Sequence, residues 1–66
     1  MLKEQVREII NTLAAHPYGV RFSVILASVN TDKGQLLTLL PHLEKQQVVF
    51  RKVVNGTVLY FLRRGN

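Results

Sequence analysis

The segment 48–62, VVFRKVVNGTVLYFL, constrains the fold more than any other part of the chain, because its central dipeptide dictates its local structure. Asn55-Gly56 favours a two-residue type I′ turn, since both residues tolerate the positive φ angles that this turn requires. Runs of β-branched and aromatic residues flank the dipeptide on both sides. The segment therefore predicts a β-hairpin with Asn55 and Gly56 at its tip.

The turn also determines which residues face each other across the hairpin. The predicted pairs are Val54 with Thr57, Val53 with Val58, Lys52 with Leu59, Arg51 with Tyr60, Phe50 with Phe61, and Val49 with Leu62. Successive side chains of a strand point to opposite sides, so both sides of this hairpin are largely apolar. A two-stranded ribbon alone is marginally stable in water. We therefore expect one side to pack on the upstream part of the chain.

The composition is that of a small globular protein. Of the 66 residues, 47% are hydrophobic and 20% charged, and we expect one domain spanning residues 1–66. No apolar run approaches the ~20 residues of a membrane span. The chain has no cysteine, which excludes disulfides and thiolate zinc sites, and its first residues lack the layout of a signal peptide. We expect a cytoplasmic protein that binds neither membranes nor a cofactor.

Positive charge is concentrated in the hairpin and the residues after it. The formal net charge is +5, and the basic and acidic residues up to Glu44 nearly cancel. Beyond Glu44 the sequence contains no acid, and its basic residues there are Lys45, Arg51, Lys52, Arg63 and Arg64. Such a field favours a polyanionic partner, of which nucleic acid is the most common.

Two helices are predicted before residue 30. Apolar residues at helical spacing indicate the first helix over residues 2–15. Pro17 and Gly19, which follow directly, end it. The second spans residues 22–29, and Ser23 is a candidate cap for its start. The residues between them, 20–22, are too few for more than a short extended bridge.

A third helix is predicted after the turn 29–32. One of its faces carries Leu36, Leu39, Leu40, Leu43 and Gln47. Gly34 weakens a helix by about 1 kcal/mol relative to alanine, and Pro41 removes an internal hydrogen bond. We therefore expect a kink or a break near Leu40.

This order of elements is typical of a winged helix-turn-helix domain. The fold class is then α+β, with three helices, a C-terminal hairpin as the wing, and residues 20–22 as a short third strand paired with it. The last third of the chain also resembles the small winged-helix regulators of bacterial pilus operons. The features that carry the resemblance are Leu43-Glu44-Lys45, the pair Val48-Val49, the basic hairpin and the return strand 60–62. The resemblance covers the last third of the chain and implies DNA binding.

Catalysis is not indicated by the residues present. An enzyme would need a nucleophile with a base, a carboxylate pair or a metal cluster, whereas the chain offers two histidines, four acids and no cysteine. Glu4 and Glu8 lie one helical turn apart, but Lys3 and Arg7 beside them indicate a solvated face with local ion pairs. His16 lies in a turn and His42 on the side of the third helix away from its leucines. We assign no catalytic role to any residue and expect that the protein is not an enzyme.

Candidate DNA contacts lie on the third helix and on the hairpin. The N-terminal residues of a recognition helix meet base edges, so Gln35 and Thr38 are expected to read bases while Lys33 binds a phosphate. The remaining candidates are His42 and Lys45 on the same helix, Arg51, Lys52 and Asn55 on the hairpin, and Arg63 and Arg64 after it. Tyr60 and Phe61 are possible stacking surfaces for single strands, although core positions suit them better.

Three alternatives remain open from the sequence. Leu37 and Pro41 on the polar side of the third helix favour a winged-helix adaptor that binds protein instead of double-stranded DNA. RNA binding by the same winged-helix fold is another alternative. A homodimer is also possible through the first helix together with the outer side of the hairpin, where Phe50, Leu59 and Phe61 would form an exposed apolar patch.

Overall fold

Three helices precede one antiparallel hairpin in the computed structural model, which describes residues 2–63. The helices are α1 (Leu2–Ala14), α2 (Phe22–Ser28) and α3 (Lys33–Lys45). The strands are β1 (Val49–Val54) and β2 (Thr57–Leu62). The α+β class is confirmed, and this layout is compatible with the winged helix that the sequence predicts. None of the helices in residues 2–63 is long and apolar enough to cross a membrane.

The hairpin has the predicted register. Its pairs run from Val49 opposite Leu62 to Val54 opposite Thr57. Asn55 and Gly56 have φ angles of 53° and 79°, as a type I′ turn requires. The register defines an inner face and an outer face. The inner face packs on the helices through Val49, Tyr60 and Leu62, while its residues nearer the turn are exposed. The inner face consists of Val49, Arg51, Val53, Val58, Tyr60 and Leu62, and the outer face of Phe50, Lys52, Val54, Thr57, Leu59 and Phe61.

The predicted third strand is reduced to one bridge. The Val20 N–H donates to the Tyr60 carbonyl at 3.0 Å, and the Tyr60 N–H donates back to the Val20 carbonyl at 2.8 Å. Arg21 is also extended, but its carbonyl accepts the N–H groups of Val24 and Ile25 in the first turn of α2, so it does not continue the pairing. The sheet within residues 2–63 therefore has two strands and not three.

The core is formed where the three helices meet the inner face of the hairpin. Its buried side chains are Ile9, Leu13, Val20, Ile25, Val29, Leu36, Leu39, Leu40, Leu43, Val49 and Tyr60. The leucines of α3 are the predicted set, except that Gln47 lies beyond the helix and is exposed. Tyr60 ties the hairpin to both the core and Val20, since its ring is buried while its backbone makes the bridge.

Helix α3 continues through Pro41, so of the predicted kink or break near Leu40 the break does not occur. Proline removes one backbone donor, but Leu39, Leu40 and Leu43 on either side of it are buried. Tertiary packing of this kind supplies most of the stability of a helix in a protein. The packing therefore outweighs the lost hydrogen bond.

The end of α3 is a Schellman motif. Gln47 adopts a left-handed φ of 63°, its N–H donates to Glu44, and the Val48 N–H donates to the Leu43 carbonyl at 2.9 Å. The start of α2 differs from the prediction, because Arg21 occupies the cap position and makes no side-chain capping bond. Ser23 lies inside the first turn and does not cap the helix.

Gly19 sits where the turn after α1 meets the outer face of the hairpin. Its φ is 99°, a conformation that residues with a Cβ rarely adopt. A Cβ built on it would lie 2.7 Å from the Phe61 ring and 3.1 Å from the Leu59 Cβ. The outer face is therefore partly covered, and of the predicted apolar patch Phe50 is the most exposed member, at 40%.

Replacing Gly19 and Gly34 by alanine should have opposite effects on stability. Gly19→Ala should lower the free energy of unfolding by more than about 1 kcal/mol, because both its φ and the Phe61 contact oppose a side chain. Gly34→Ala should raise it by up to about 1 kcal/mol, since the new Cβ meets only the Asp32 carboxylate at 3.5 Å. Urea unfolding of both variants tests this, and equal effects would contradict the turn geometry.

Candidate nucleic-acid interface

The structure leaves the described candidate side chains open to solvent. On α3, Lys33, Gln35, Thr38, His42 and Lys45 are all exposed. On the hairpin and directly after it, Arg51, Lys52, Asn55 and Arg63 are exposed too. Arg64 lies outside the described residues. These residues therefore form two groups, one along α3 and one on the hairpin.

The start of α3 is capped by an acid. The Asp32 carboxylate accepts the Gln35 N–H at 2.8 Å. This bond satisfies one of the free N–H groups at the start of the helix, and the negative charge of the carboxylate complements the helix dipole. A phosphate at this position would therefore meet a carboxylate beside the Lys33 cation.

Gln35 is held by α1 and by the preceding turn. Its side-chain carbonyl accepts hydrogen bonds from Gln5 Nε2 at 2.8 Å and from Thr31 Oγ1 at 2.9 Å. Bidentate recognition of adenine needs both the amide oxygen and the amide nitrogen of a glutamine. Since the oxygen is engaged twice, only the nitrogen of Gln35 is left to read a base.

Thr38 is less constrained. Its hydroxyl donates to the Gly34 carbonyl at 3.1 Å, which leaves the oxygen able to accept a hydrogen bond. His42 and Lys45 follow at intervals of four and three residues, so the three lie in one row along α3. This row is an exposed polar surface along the helix.

Arg51 forms an ion pair that the sequence does not suggest. Its Nε lies 3.5 Å from the Glu44 Oε1, and the Arg51 side chain remains 60% exposed. The pair borders a groove of about 130 Å³ between α3 and the inner face, lined by Phe22, Leu37, Leu40, Pro41, Glu44, Arg51 and Tyr60. No sequence signal links the two residues, because their contact depends on how the hairpin leaves α3.

Lys52 and Arg63 lie on the other side of the hairpin. Lys52 belongs to the outer face. The Arg63 N–H donates to the Val48 carbonyl at 2.9 Å, which extends the register by one pair and places Arg63 on the same face as Phe61. The basic residues of the hairpin are therefore divided between two surfaces.

Aromatic rings accompany the cations of the outer face. Phe50 and Phe61 stack across the strands with ring centroids 4.9 Å apart and planes 9° from parallel. The sequence offers Tyr60 and Phe61 as possible stacking surfaces, but Tyr60 is buried and Phe50 is the more exposed ring. The predicted cross-strand pairing of Phe50 with Phe61 is the sequence signal for this pair.

No family model matches this chain, and no curated protein or solved structure matches it significantly. Among residues 2–63 no three histidine or acidic side chains come together in a way that would hold a metal ion. A function for this chain is therefore inferred from the geometry and charge of its described side chains.

Asp32 should stabilise α3 through its hydrogen bond more than through its charge. Asp32→Ala should lower the free energy of unfolding by about 1 kcal/mol, as expected for loss of an N-cap. Asp32→Asn keeps a side-chain acceptor and should lower the free energy of unfolding by only a few tenths of a kcal/mol. Thermal unfolding of the two variants tests this, and an unchanged Asp32→Ala protein would contradict the cap.

Proposed function

We propose that this chain is a winged helix-turn-helix DNA-binding regulator of transcription that acts in the cytoplasm. In this proposal α3 enters the major groove and the hairpin is the wing on the phosphate backbone. The observation that carries it is the exposed polar row of α3, which leads onto a basic hairpin. The resemblance to pilus-operon regulators supports the same function.

Phosphate contacts are assigned to cations on the α3 side of the molecule. Lys33 lies at the start of the helix, Lys45 at its end, and Arg51 on the inner face of the hairpin. Duplex DNA attracts such residues through its charge, and this attraction carries no sequence information. The Glu44 carboxylate beside Arg51 reduces the local positive charge.

Base reading is assigned to Thr38 and His42, with a lesser role for Gln35. The hydroxyl of Thr38 is free to accept a hydrogen bond from a base, whereas the oxygen of Gln35 is engaged within the protein. Specificity would then rest on the middle of α3 more than on its first turn.

A salt titration on duplex DNA tests this assignment. Lys45→Ala and Arg51→Ala should each weaken binding about equally for all sequences and reduce the salt slope by about one, because one fewer counterion is released. Thr38→Val should leave the slope unchanged while relaxing preference at one base pair by about 1 to 3 kcal/mol.

Arg7→Ala on α1 is the matched control, since Arg7 is an exposed cation outside the proposed interface. It should leave the salt slope as it is. Absence of duplex binding at low salt, or an equal loss in Arg7→Ala, would refute the assignment.

A protein-binding adaptor is the second candidate, and the groove beside Leu37 favours it. Leu37 is 54% exposed, and Pro41 next to it is also exposed. The groove of about 130 Å³ has an apolar floor that includes Phe22 and Tyr60. One apolar side chain of a partner would fill it, whereas the apolar group that base edges offer is the thymine methyl, which is much smaller.

Selection from a displayed peptide library tests the adaptor function. If the groove is a protein site, the selected peptides should share one large apolar residue and should lose binding to the Leu37→Gln variant. Val24→Thr, an exposed position on α2, is the control and should retain binding. Peptides that bind Leu37→Gln as well as the original chain would refute a protein site in this groove.

A further inference from the structure

The outer face of the hairpin carries an aromatic pair that the duplex interface does not use. Phe50 stacks on Phe61 at 4.9 Å, and 40% of the Phe50 surface is open to solvent. This face points away from α3, because the inner face packs on the helices. A ligand that binds α3 therefore has no contact that explains an exposed phenylalanine here.

Two cations flank the aromatic pair on the same face. Lys52 lies two residues from Phe50 along β1, and Arg63 lies two residues from Phe61, directly after β2. Two residues of a strand span about 7 Å, a distance that a lysine or arginine side chain is long enough to cover. The pattern on this face is cation, aromatic pair, cation.

A groove leads from the rings toward the end of α1. It has a volume of about 440 Å³ and is lined by Leu13, His16, Pro17, Phe50, Phe61 and Leu62. His16 Nδ1 donates to the Thr12 carbonyl at 2.8 Å, since a carbonyl only accepts. Its Nε2 is then the nitrogen left to bind a ligand.

The charge on this face selects the kind of ligand. The four acids of the chain lie on α1, at the cap of α3 and on α3, and none belongs to the hairpin. An anion is therefore attracted, whereas a second copy of this basic chain would bring like charges together. Stacking on an aromatic ring further requires an accessible π-face, which bases offer when they are unpaired.

We propose that the outer face binds single-stranded nucleic acid, with an unpaired base stacked on the Phe50–Phe61 pair and phosphates on Lys52 and Arg63. This site is separate from the α3 interface and does not depend on it. Cation and aromatic side chains together are the combination by which single strands are bound with little sequence preference.

Fluorescence anisotropy with a labelled twelve-residue oligothymidine tests the site. Phe50→Val should weaken binding about 5- to 150-fold, the loss of one base–aromatic contact. Phe50→Tyr preserves stacking and should bind within about twofold of the original chain. Val53→Thr is the control, because Val53 is 64% exposed on the inner face, and it should bind normally.

A second readout separates stacking from a purely structural effect. The chain contains no tryptophan, so Phe50→Trp introduces a single reporter at the rings. Oligothymidine should quench its fluorescence, and a fully paired duplex of the same length should not. Thermal unfolding of each variant confirms that it is folded.

Two results would overturn the proposal. The first is that the original chain does not bind oligothymidine, or that Phe50→Val binds it as tightly as the original chain does. The second is an equal loss of duplex and single-strand binding in Phe50→Val. A dimer in sedimentation that Phe50→Val dissociates, without oligothymidine binding, would assign the face to a second copy instead. Failure of duplex binding alone would refute the α3 interface and leave this site standing.

Discussion

The positive φ angles at Asn55 and Gly56 hold the hairpin in one register, and the contacts of the sheet depend on that register. A slip of one residue would move every side chain of a strand to the opposite face. A slip of β1 would take Val49 out of the core, and a slip of β2 would take Tyr60 out of the core and away from Val20. The same turn therefore determines the packing of the helices and the separation of Arg51 from Lys52.

Local rules predict the hairpin well because a two-residue turn leaves few alternatives. The leucine face of α3 is equally predictable, since four buried leucines recur at helical spacing. The predicted break near Leu40 does not occur, because intrinsic propensity is a weak guide where one face of the helix is buried on both sides of Pro41. The third strand is shorter than predicted because the Arg21 carbonyl already bonds to the first turn of α2, so that Val20 alone pairs with β2.

The candidate sites can be predicted only in part from the sequence. The exposed cations are predictable from composition, but their division between two faces requires the register and the extra pair at Arg63. The hydrogen bond from Gln5 to Gln35 joins residues thirty positions apart, and no periodicity indicates it. The Arg51–Glu44 pair likewise depends on the direction in which the chain leaves α3.

The short connection between α3 and β1 has a consequence for recognition. Three residues, 46–48, join the two elements, and each of their N–H groups donates to a carbonyl in the last turns of α3. With so little free chain, the angle between the helix and the hairpin is set before any ligand arrives. A partner that spans both elements therefore loses little entropy in ordering them, but it must already have a shape that matches this angle.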